Sequence, residues 1–385
     1  MSNEINMLIH VAISDIHFGA LDAERLYEEL KKEFLNKLKK LPRIDLITIN
    51  GDLYHRIISL NDLDAYYSFK FWDKLKKISK KKNCKFIRVI KGTMSHDVNQ
   101  LDNLPLDDDI DIKIIDQVES EVLFDRYRVL YLPEEYIKNP KEYYEEYFNK
   151  EYDLIVGHGQ FEETSFINFD SETTMEAAPV YDAKLFLNIC KGPIIFGHIH
   201  DAIILKKRIF YTGSFTRWKM GEERPKGFLI NIQDLNNTEN FTIVPCENKM
   251  ARKYVTIDIT EYLEKYQVEK IINLINEYMV NNNIYKIRLK ASDNNSATTM
   301  AKLTTIHSHY MGNKQVQMDI KTLQINDETE EEKELVDKYS YLSEDIPNEE
   351  KISRFAKDRF DYELSAERVN ELLTCDILKL LDSID

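Results

Sequence analysis

The chain has 385 residues, a formal net charge of −15, 43% hydrophobic residues and four cysteines. This length predicts about two to three domains with ordinary hydrophobic cores, and the acidic balance argues against a protein that holds nucleic acid by its overall charge. No run approaches the roughly 20 apolar residues of a membrane span, residues 1–25 lack a secretory signal pattern, and the cysteines show no CxxC spacing. We therefore expect a cytoplasmic protein with reduced thiols and no membrane partner.

The first part of the chain alternates predicted strands and helices. Apolar runs at 8–13 and 44–49 predict two strands, and apolar residues at helical spacing predict helices at 22–40 and 61–81. A third strand is predicted at 85–90. Three βα units in a row indicate an α/β fold whose parallel sheet has right-handed crossovers.

Shorter strand-like segments follow, and then a second pattern begins. Further strands are predicted at 111–116, 121–125, 127–132, 154–156, 194–196, 203–205, 209–212 and 227–232, with a helix near 140–150. Strands and helices are then predicted to alternate at 254–257, 266–280, 285–290, 297–310 and 315–320. The last set of segments predicts a small α+β domain.

The C-terminal part of the chain has a different character. Acidic residues in 327–334 predict a linker or the exposed start of a helix. Ser365 can cap a last helix whose apolar residues recur at helical spacing, namely Val369, Leu372, Leu373, Ile377, Leu380, Leu381 and Ile384. This stripe either folds back on its own chain or docks into a partner. We therefore predict domains at 1–248 and 249–325, and an acidic linker with a helical docking segment at 326–385.

Histidines and aspartates follow the predicted strands at the points where the strands end. Six of the nine histidines lie in glycine- or aspartate-containing turns of this kind, namely His17, His55, His96, His158, His198 and His200. Because open α/β sheets build sites at the carboxyl ends of their strands, these tips should meet. Imidazole and carboxylate ligands together suit Mn²⁺, Fe²⁺ or Zn²⁺. The pattern therefore predicts a centre of two metal ions.

Asp52 is the best candidate to bridge the two ions, because its carboxylate offers two oxygens from a fixed strand end. Glycines precede Asp52, His158 and His198, and we expect them to let the backbone turn sharply near the ions. The other three histidines are interpreted as satisfied core residues, namely His10, His307 and His309.

Five motifs resemble, in order, the signature of the calcineurin-like metallophosphoesterases, D-x-H, G-D, G-N-H-D/E, G-H and G-H-x-H. The matching stretches are Asp15-Ile16-His17, Gly51-Asp52, His96-Asp97, Gly157-His158 and Gly197-His198-Ile199-His200. The resemblance implies a four-layer α/β/β/α phosphoesterase domain with a small α+β capping domain and a helical C-terminal tail. It also implies that one ion is held by Asp15, His17 and His200, and the other by His158 and His198, with Asp52 bridging. His96 would act as the acid for the leaving oxygen, oriented by Asp97.

Two further stretches are similar to the SbcD-type nucleases of DNA repair and recombination. Gly51-Asp52-Leu53-Tyr54-His55 resembles their G-D-L-F-H, in which the extra histidine, here His55, lies at the active site. Tyr211-Thr212-Gly213-Ser214, Gly221-Glu222 and Lys226-Gly227-Phe228 resemble the segment that follows the last motif in those proteins, Y-x-G-S, G-E and K-G-F. An acidic nuclease subunit of this plan also resembles phage-encoded versions.

This second resemblance implies a nuclease with two Mn²⁺ ions that acts on DNA, as an exonuclease on double strands and an endonuclease on single strands. The capping domain would help to bind DNA, and the helical tail would dock on an SMC-like, SbcC-type ATPase. A homodimer is expected on the same ground. The protein would lie in the cytoplasm, near the nucleoid, or in the host cytoplasm if it is phage-encoded.

One position departs from the family pattern. Ser95 precedes His96 where the family has asparagine, in a turn lengthened to 92–97. An asparagine carbonyl is a better ligand than a serine hydroxyl, so the second ion would be held more weakly, by Ser95, a water molecule or a rearranged loop. Two other functions therefore stay open. One is a general phosphoesterase for small molecules or phosphoproteins, and the other is a non-catalytic scaffold for the ATPase.

Overall fold

The structure is a computed structural model. It describes residues 6–97, 100–135, 137, 140–164, 180–292 and 297–321, with the single positions 350, 353, 357 and 365. The predicted linker at 327–334 and the apolar stripe after Ser365 lie outside the described residues. Among the helices of the described part of the chain, none combines the length and the apolar character that crossing a membrane requires.

The fold is a mixed α/β arrangement, as the sequence predicts. The strands are β1 (Met7–Ile13), β2 (Leu46–Asn50), β3 (Phe86–Ile90), β4 (Asp111–Ile115), β5 (Glu119–Leu123), β6 (Tyr127–Leu132), β7 (Leu154–His158), β8 (Gln160–Phe161), β9 (Val180–Tyr181), β10 (Ile194–Gly197), β11 (Ile203–Leu205), β12 (Ile209–Tyr211), β13 (Gly227–Asp234), β14 (Phe241–Glu247), β15 (Tyr254–Asp258), β16 (Lys286–Ser292) and β17 (Val316–Lys321). β8 and β9 form a separate two-stranded sheet, and the other strands form three larger sheets.

A helix occurs close to each position predicted before residue 322, and the short helices Met94–Asp97 and Ala183–Ile189 were not predicted. They are α1 (Ala23–Glu29), α2 (Asn36–Leu38), α3 (Leu63–Lys81), α4 (Met94–Asp97), α5 (Pro140–Tyr143), α6 (Glu145–Phe148), α7 (Ala183–Ile189), α8 (Thr260–Lys265), α9 (Val268–Asn281) and α10 (Ala297–Tyr310). A π-helical stretch, Leu30–Leu35, joins α1 to α2, so the helix predicted at 22–40 is continuous but not uniform. Asp22 caps it by accepting a hydrogen bond from the backbone N–H of Arg25.

The first large sheet has the order β14-β13-β1-β2-β3-β4. β1 to β4 are parallel, which confirms the parallel sheet predicted from three successive βα units. β13 and β14 add antiparallel strands beside β1. The sequence did not predict β14, whose residues are mostly half-buried or exposed and include Pro245. Such a strand lacks the continuous apolar run that marks the buried parallel strands, and proline is tolerated at a sheet edge.

The second large sheet has the order β11-β12-β10-β7-β6-β5. Its central strands β6, β7, β10 and β12 are parallel, and β5 and β11 pair antiparallel at its edges. The predicted strands after His200 therefore divide between the two sheets. β11 and β12 extend the second sheet, whereas β13 joins the first.

Apolar residues from both large sheets share one core cluster, which includes Leu8 and Ala12 of β1 and Val156 of β7. A second cluster joins the first sheet to α1 and α3. A third joins the second sheet to α7. The two faces of each sheet are thus covered by apolar side chains, which is why their central strands read as continuous hydrophobic runs.

A third sheet, β15-β16-β17, occurs with α8, α9 and α10 in the region predicted as a small α+β domain. The sequence prediction missed α8. The described residues belong mostly to one compact unit, Met1–Ala291 with Ala301–Ile320, and the other unit is Ser292–Met300 with Lys321–Asp385. The proposed boundaries at 248 and 325 stay predictions.

Three histidines were interpreted as satisfied core residues, and only His10 is confirmed as a core residue, although its Nδ1 atom has no hydrogen-bond partner among the described residues. His10 is fully buried in β1, with Nε2 2.9 Å from Thr48 Oγ1. His307 and His309 are exposed, so their interpretation was wrong. The apolar face of α10 is buried at Leu303, Ile306 and Tyr310, and the two histidines lie outside this face, one at each of its edges.

Candidate metal centre

The ends of strands from both large sheets meet at one site. Asp15 lies two residues after β1, and Asp52 lies two residues after β2. His158 is the last residue of β7, and His198 follows directly after β10. The backbone N–H of His17 donates to the carbonyl oxygen of Asp52 over 3.1 Å, which joins the first two turns. The predicted strand-end residues are therefore close in space, because parallel strands of one sheet end at one edge and the two sheets bring these edges together.

Asp15, His17 and His200 form the first group of potential metal ligands. The Nε2 atoms of His17 and His200 are 3.1 Å apart, and His200 Nε2 lies 3.7 Å from Asp15 Oδ1. Asp15 and His17 are buried. This is the set that the family resemblance implies for one ion.

The orientation of His200 is set by Glu222, a buried residue for which the sequence suggested no role. His200 Nδ1 lies 2.6 Å from Glu222 Oε1 and donates to it, so Nε2 presents its lone pair to the first group. The backbone N–H of Trp218 donates to the other oxygen of Glu222. Burial opposes the charge on Glu222, but the hydrogen bond from His200 and the charge of Lys226 lower the pKa of this carboxyl.

Glu134, His158 and His198 form a second group. Glu134 Oε2 lies 3.5 Å from His158 Nε2 and 3.3 Å from His198 Nδ1. His198 Nε2 lies 2.9 Å from the side-chain amide of Gln160. The nearest atom is the amide nitrogen Nε2 of Gln160, which donates to His198 Nε2; a half-turn of this amide would present its oxygen instead, so that His198 would donate from Nε2 and offer Nδ1 as a ligand.

Glu134 was missed by the sequence reasoning, although a signal for it exists. It lies two residues after the end of β6, the same distance that separates Asp15 from β1 and Asp52 from β2. No histidine lies in the turn after β6, so the histidine pattern gave no sign of Glu134, whereas its place as a carboxylate at a strand end did.

Asp52 lies between the two groups. Its Oδ2 atom is 3.5 Å from His158 Nε2 and 3.9 Å from His17 Nε2. The backbone N–H of Thr93 donates to Oδ1 over 2.7 Å. Burial opposes ionisation of Asp52, but the neighbouring histidines, His158 first, hold its pKa well below the usual range. Its position agrees with a bridging carboxylate.

The donor atoms of the second group fit a cation. His158 Nδ1 donates to the carbonyl oxygen of Asn50 over 2.8 Å, so Nε2 carries the lone pair of the neutral ring. Nε2 is buried without a hydrogen-bond partner and faces the carboxylate oxygens of Asp52 and Glu134. Burial disfavours a proton there, but these carboxylates, Asp52 foremost, raise the pKa of His158 well above its usual value. A positive charge, whether a proton or a metal ion, is needed among these atoms.

The backbone is strained where these ligands lie. Asp15, His17, Asp52 and His198 all have positive φ, between 48° and 89°. Non-glycine residues rarely adopt this conformation, and such strain is concentrated at functional sites.

The expected sharp turn occurs at Gly51, whose φ is 83°. Gly157 and Gly197 have no positive φ, so for them the expectation was wrong. They are needed for space instead. A Cβ atom on Gly197 would lie 2.1 Å from the carbonyl oxygen of Asn50, and one on Gly157 would lie 2.7 Å from that of Leu132.

His96 and Asp97 lie at the site, but not as a hydrogen-bonded pair. His96 Nδ1 lies 2.9 Å from Asp52 Oδ2. The buried carboxylate of Asp97 instead accepts hydrogen bonds from the backbone N–H groups of Asp52, Tyr54 and Gly92. Asp52 thus orients the His96 ring, and Asp97 holds together the two loops that carry the site.

The rings of His55, His96 and Trp218 form one wall of the site. The ring of His55 lies 5.1 Å from that of His96 and 4.8 Å from that of Trp218, measured between centroids. The sequence reasoning did not select Trp218. Ser95 is exposed, whereas Thr93 Oγ1 lies 3.2 Å from Asp52 Oδ2. Thr93, the residue directly after Gly92, therefore occupies the inner face of the lengthened turn.

No protein-family model matches this sequence, and no curated protein sequence matches it.

Proposed function

We propose that this chain is a metal-dependent DNA nuclease of the calcineurin-like metallophosphoesterase type. The observation that carries the proposal is the position of Asp52 between two groups of histidines and carboxylates, with His96 hydrogen-bonded to the same Asp52 oxygen. The strand-end origin of these residues and the apolar cluster that the two large sheets share support the four-layer α/β/β/α arrangement of that family.

The proposed cofactor is a pair of divalent ions, most favourably Mn²⁺, because imidazole and carboxylate ligands occur together. Asp15, His17 and His200 would hold one ion, His158 and His198 the other, and Asp52 both. Bound there, the ions would lower the pKa of a water molecule and offset the charge that grows on the phosphoryl oxygens.

His96 is the proposed acid for the leaving group. Its hydrogen bond to Asp52 engages Nδ1, which leaves Nε2 as the nitrogen that can donate a proton to the departing sugar oxygen. The His96 side chain is 22% exposed, so a substrate can reach it. His55 lies beside it and would assist in stabilising that oxygen. Asp97 acts as a positioning residue through its three backbone hydrogen bonds.

DNA is favoured as the substrate by two basic cavities on an acidic protein. One of about 450 Å³ is lined by Arg25, Lys249, Arg252 and Lys253 with uncharged residues. Another of about 410 Å³ is lined by lysines of α1 to α3 and their connections, namely Lys31, Lys39, Lys74, Lys77, Lys81 and Lys82. Neither has an acidic lining residue, although Arg25, Lys31 and Lys77 form ion pairs with Glu29, Glu28 and Asp73; the other cations can attract a phosphate backbone despite the net charge.

The biological setting is part of the same proposal. The chain would act in the cytoplasm as the nuclease subunit of a complex with an SMC-like ATPase in DNA repair and recombination. The region 249–325 would contribute to DNA binding, and the helical segment within 326–385 would dock on the ATPase. A homodimer is proposed from the family resemblance. These statements rest on the motifs and on the apolar stripe after Ser365.

The deciding experiment is cleavage of end-labelled double-stranded and single-stranded DNA with Mn²⁺. Wild type should cleave, whereas Asp52→Ala and His96→Ser should lose at least about 100-fold in rate, the order expected for a general acid. His309→Ser, an exposed histidine of α10, is the matched control and should cleave like wild type.

Other outcomes identify the alternatives. Turnover of a simple phosphodiester without cleavage of any DNA would favour a general phosphoesterase. Absence of Mn²⁺ binding by calorimetry would favour the non-catalytic scaffold. Removal of residues 335–385 should leave phosphodiester turnover intact and abolish capture of the ATPase, and unchanged capture would contradict the docking segment.

A further inference from the structure

The second group of ligands contains a carboxylate that the family signature does not supply. In the resemblance, an asparagine before the histidine of G-N-H-D/E is a ligand of the second ion. In this chain Ser95 stands there and is exposed. We propose that Glu134 is a direct ligand of the second metal ion and replaces that asparagine. This inference rests on the proposed two-metal function.

The first support is the distance from Glu134 to the other ligands. Its Oε2 atom lies 3.3 Å from His198 Nδ1 and 3.5 Å from His158 Nε2. Its side chain is 1% exposed. A carboxylate buried beside two ring nitrogens favours a positive charge among the three groups. Metal coordination satisfies all three side chains with a single charge.

The second support is the way in which the backbone presents Glu134. Its N–H donates to the carbonyl oxygen of Lys91 over 3.1 Å, which joins the chain after β6 in the second sheet to the chain after β3 in the first. Thr93 Oγ1 lies 3.2 Å from Glu134 Oε2 and 3.2 Å from Asp52 Oδ2. Thr93, in the lengthened turn, therefore contacts both carboxylates.

The third support is that Glu134 gives the second ion the same kinds of ligand as the first. With Glu134 included, each ion would have two imidazoles and one carboxylate of its own, and Asp52 lies near a histidine of each set. Replacement of a neutral amide by a carboxylate adds one negative charge at the second ion. Asp15, Asp52 and Glu134 together then offset three of the four positive charges of two divalent ions. The second ion should be held firmly, contrary to the weakening that Ser95 suggested.

The simpler alternative is that Glu134 only forms an ion pair with protonated His158. The two interpretations differ in what Glu134→Gln does to metal binding, because an ion-pair partner contributes no donor atom to the ion. The experiment is titration of the metal-free protein with Mn²⁺ alone, followed by calorimetry and by electron paramagnetic resonance. Glu135→Gln is the matched control, because Glu135 accepts hydrogen bonds from Val118 and Tyr143 instead of facing the histidines.

Wild type and Glu135→Gln should bind two ions and show the spectrum of a magnetically coupled pair. Glu134→Gln should bind the second ion at least about 10-fold more weakly, keep the first unchanged, and show isolated Mn²⁺ when one ion is bound. Glu134→Ala should bind one ion only, and an unchanged circular dichroism spectrum would show that it is folded.

Two ions bound by Glu134→Gln with wild-type affinities would overturn the inference, and so would loss of both ions from a folded Glu134→Gln. These results are independent of DNA cleavage. If wild type cleaves DNA and Glu134→Gln binds metal like wild type, Glu134 is not a metal ligand, but the proposed nuclease function stands. If Glu134→Gln loses one ion and wild type does not cleave DNA, Glu134 is a metal ligand, but the proposed nuclease function is wrong.

Discussion

His158 Nδ1 donates a hydrogen bond to the carbonyl oxygen of Asn50, and this contact joins the end of β7 in the second sheet to the end of β2 in the first. It sets the tautomer of His158, so that Nε2 faces the carboxylates of Asp52 and Glu134. The next residue after Asn50 is Gly51, which passes directly beside the His158 ring. The approach of two sheets at this point therefore determines which ring nitrogen is available as a ligand.

The contact at Gly51 can be tested with alanine. A Cβ atom on Gly51 would lie 2.1 Å from His158 Nδ1, and its φ of 83° is unfavourable for alanine. We expect Gly51→Ala to lose about 1–2 kcal/mol from backbone strain, further stability from the clash, and affinity for one Mn²⁺ ion. Thermal unfolding and Mn²⁺ calorimetry measure these losses.

Gly312→Ala is the matched control for this prediction. Gly312 has nearly the same φ, 82°, and nothing within 4 Å of its added Cβ. It should show the backbone strain alone and full metal affinity. Equal effects of the two substitutions would contradict a specific role for the Gly51–His158 contact.

Glu222 should act on the first ion, as Glu134 acts on the second. Glu222→Gln keeps the shape of the side chain but weakens its hydrogen bond to His200 Nδ1, now 2.6 Å long. We expect an affinity about 10–100-fold lower for one Mn²⁺ ion and no change for the other. The adjacent and exposed Glu223 provides the control, Glu223→Gln. If the double variant Glu134→Gln, Glu222→Gln still binds one ion tightly, the assignment of the two carboxylates to different ions is wrong.

Asp97 should matter for stability as well as for activity. Its carboxylate accepts three backbone N–H groups, and the amide nitrogen of Asp97→Asn cannot accept the hydrogen bond from Tyr54. We expect the metal-free variant to lose about 1–3 kcal/mol of its free energy of unfolding. Denaturant unfolding measures this loss, with the exposed Asp102→Asn as control. An Asp97→Asn variant of wild-type stability would restore the original idea that Asp97 acts mainly on His96.

His10 should make the metal-free protein sensitive to acid. Burial lowers the pKa of His10 from 6.5 to about 3, so the folded state leaves it neutral where the unfolded chain binds a proton. Its contribution to stability is therefore complete above about pH 6.5 and decreases as the pH falls. Between pH 7 and pH 5 we expect a loss of about 2 kcal/mol from this residue.

The His10 effect is measured as a difference between two proteins. His10→Gln can keep the hydrogen bond to Thr48 but cannot titrate, and the histidines of the metal centre are the same in both proteins. The free energy of unfolding of wild type should fall more steeply with acid than that of the variant. Parallel pH profiles would show that His10 is not the cause.

Much of the fold could be predicted because its signals are local. The buried runs of β1 and β2 and the apolar spacing of α3 and α9 lie within a few residues of one another in the sequence, and burial of one face selects the element. The prediction failed where the local signal was weak, and where the same signal fits a strand of either sheet. β14 is a largely half-buried edge strand, and α8 is a short helix with one buried residue, Leu263. The division of β11, β12 and β13 between two sheets has no local signal at all.

The sequence by itself determined which residues follow the buried strands, and so it placed Asp15, Asp52 and six histidines at strand ends. Only the tertiary structure decided the partners of those residues. Glu134 lies with His158 and His198, and Glu222 orients His200. Thr93, and not Ser95, lies on the inner face of the turn 92–97. These distances depend on how two separate sheets pack through a shared apolar core. Residues far apart in the sequence meet across that core, and no local pattern encodes their separation.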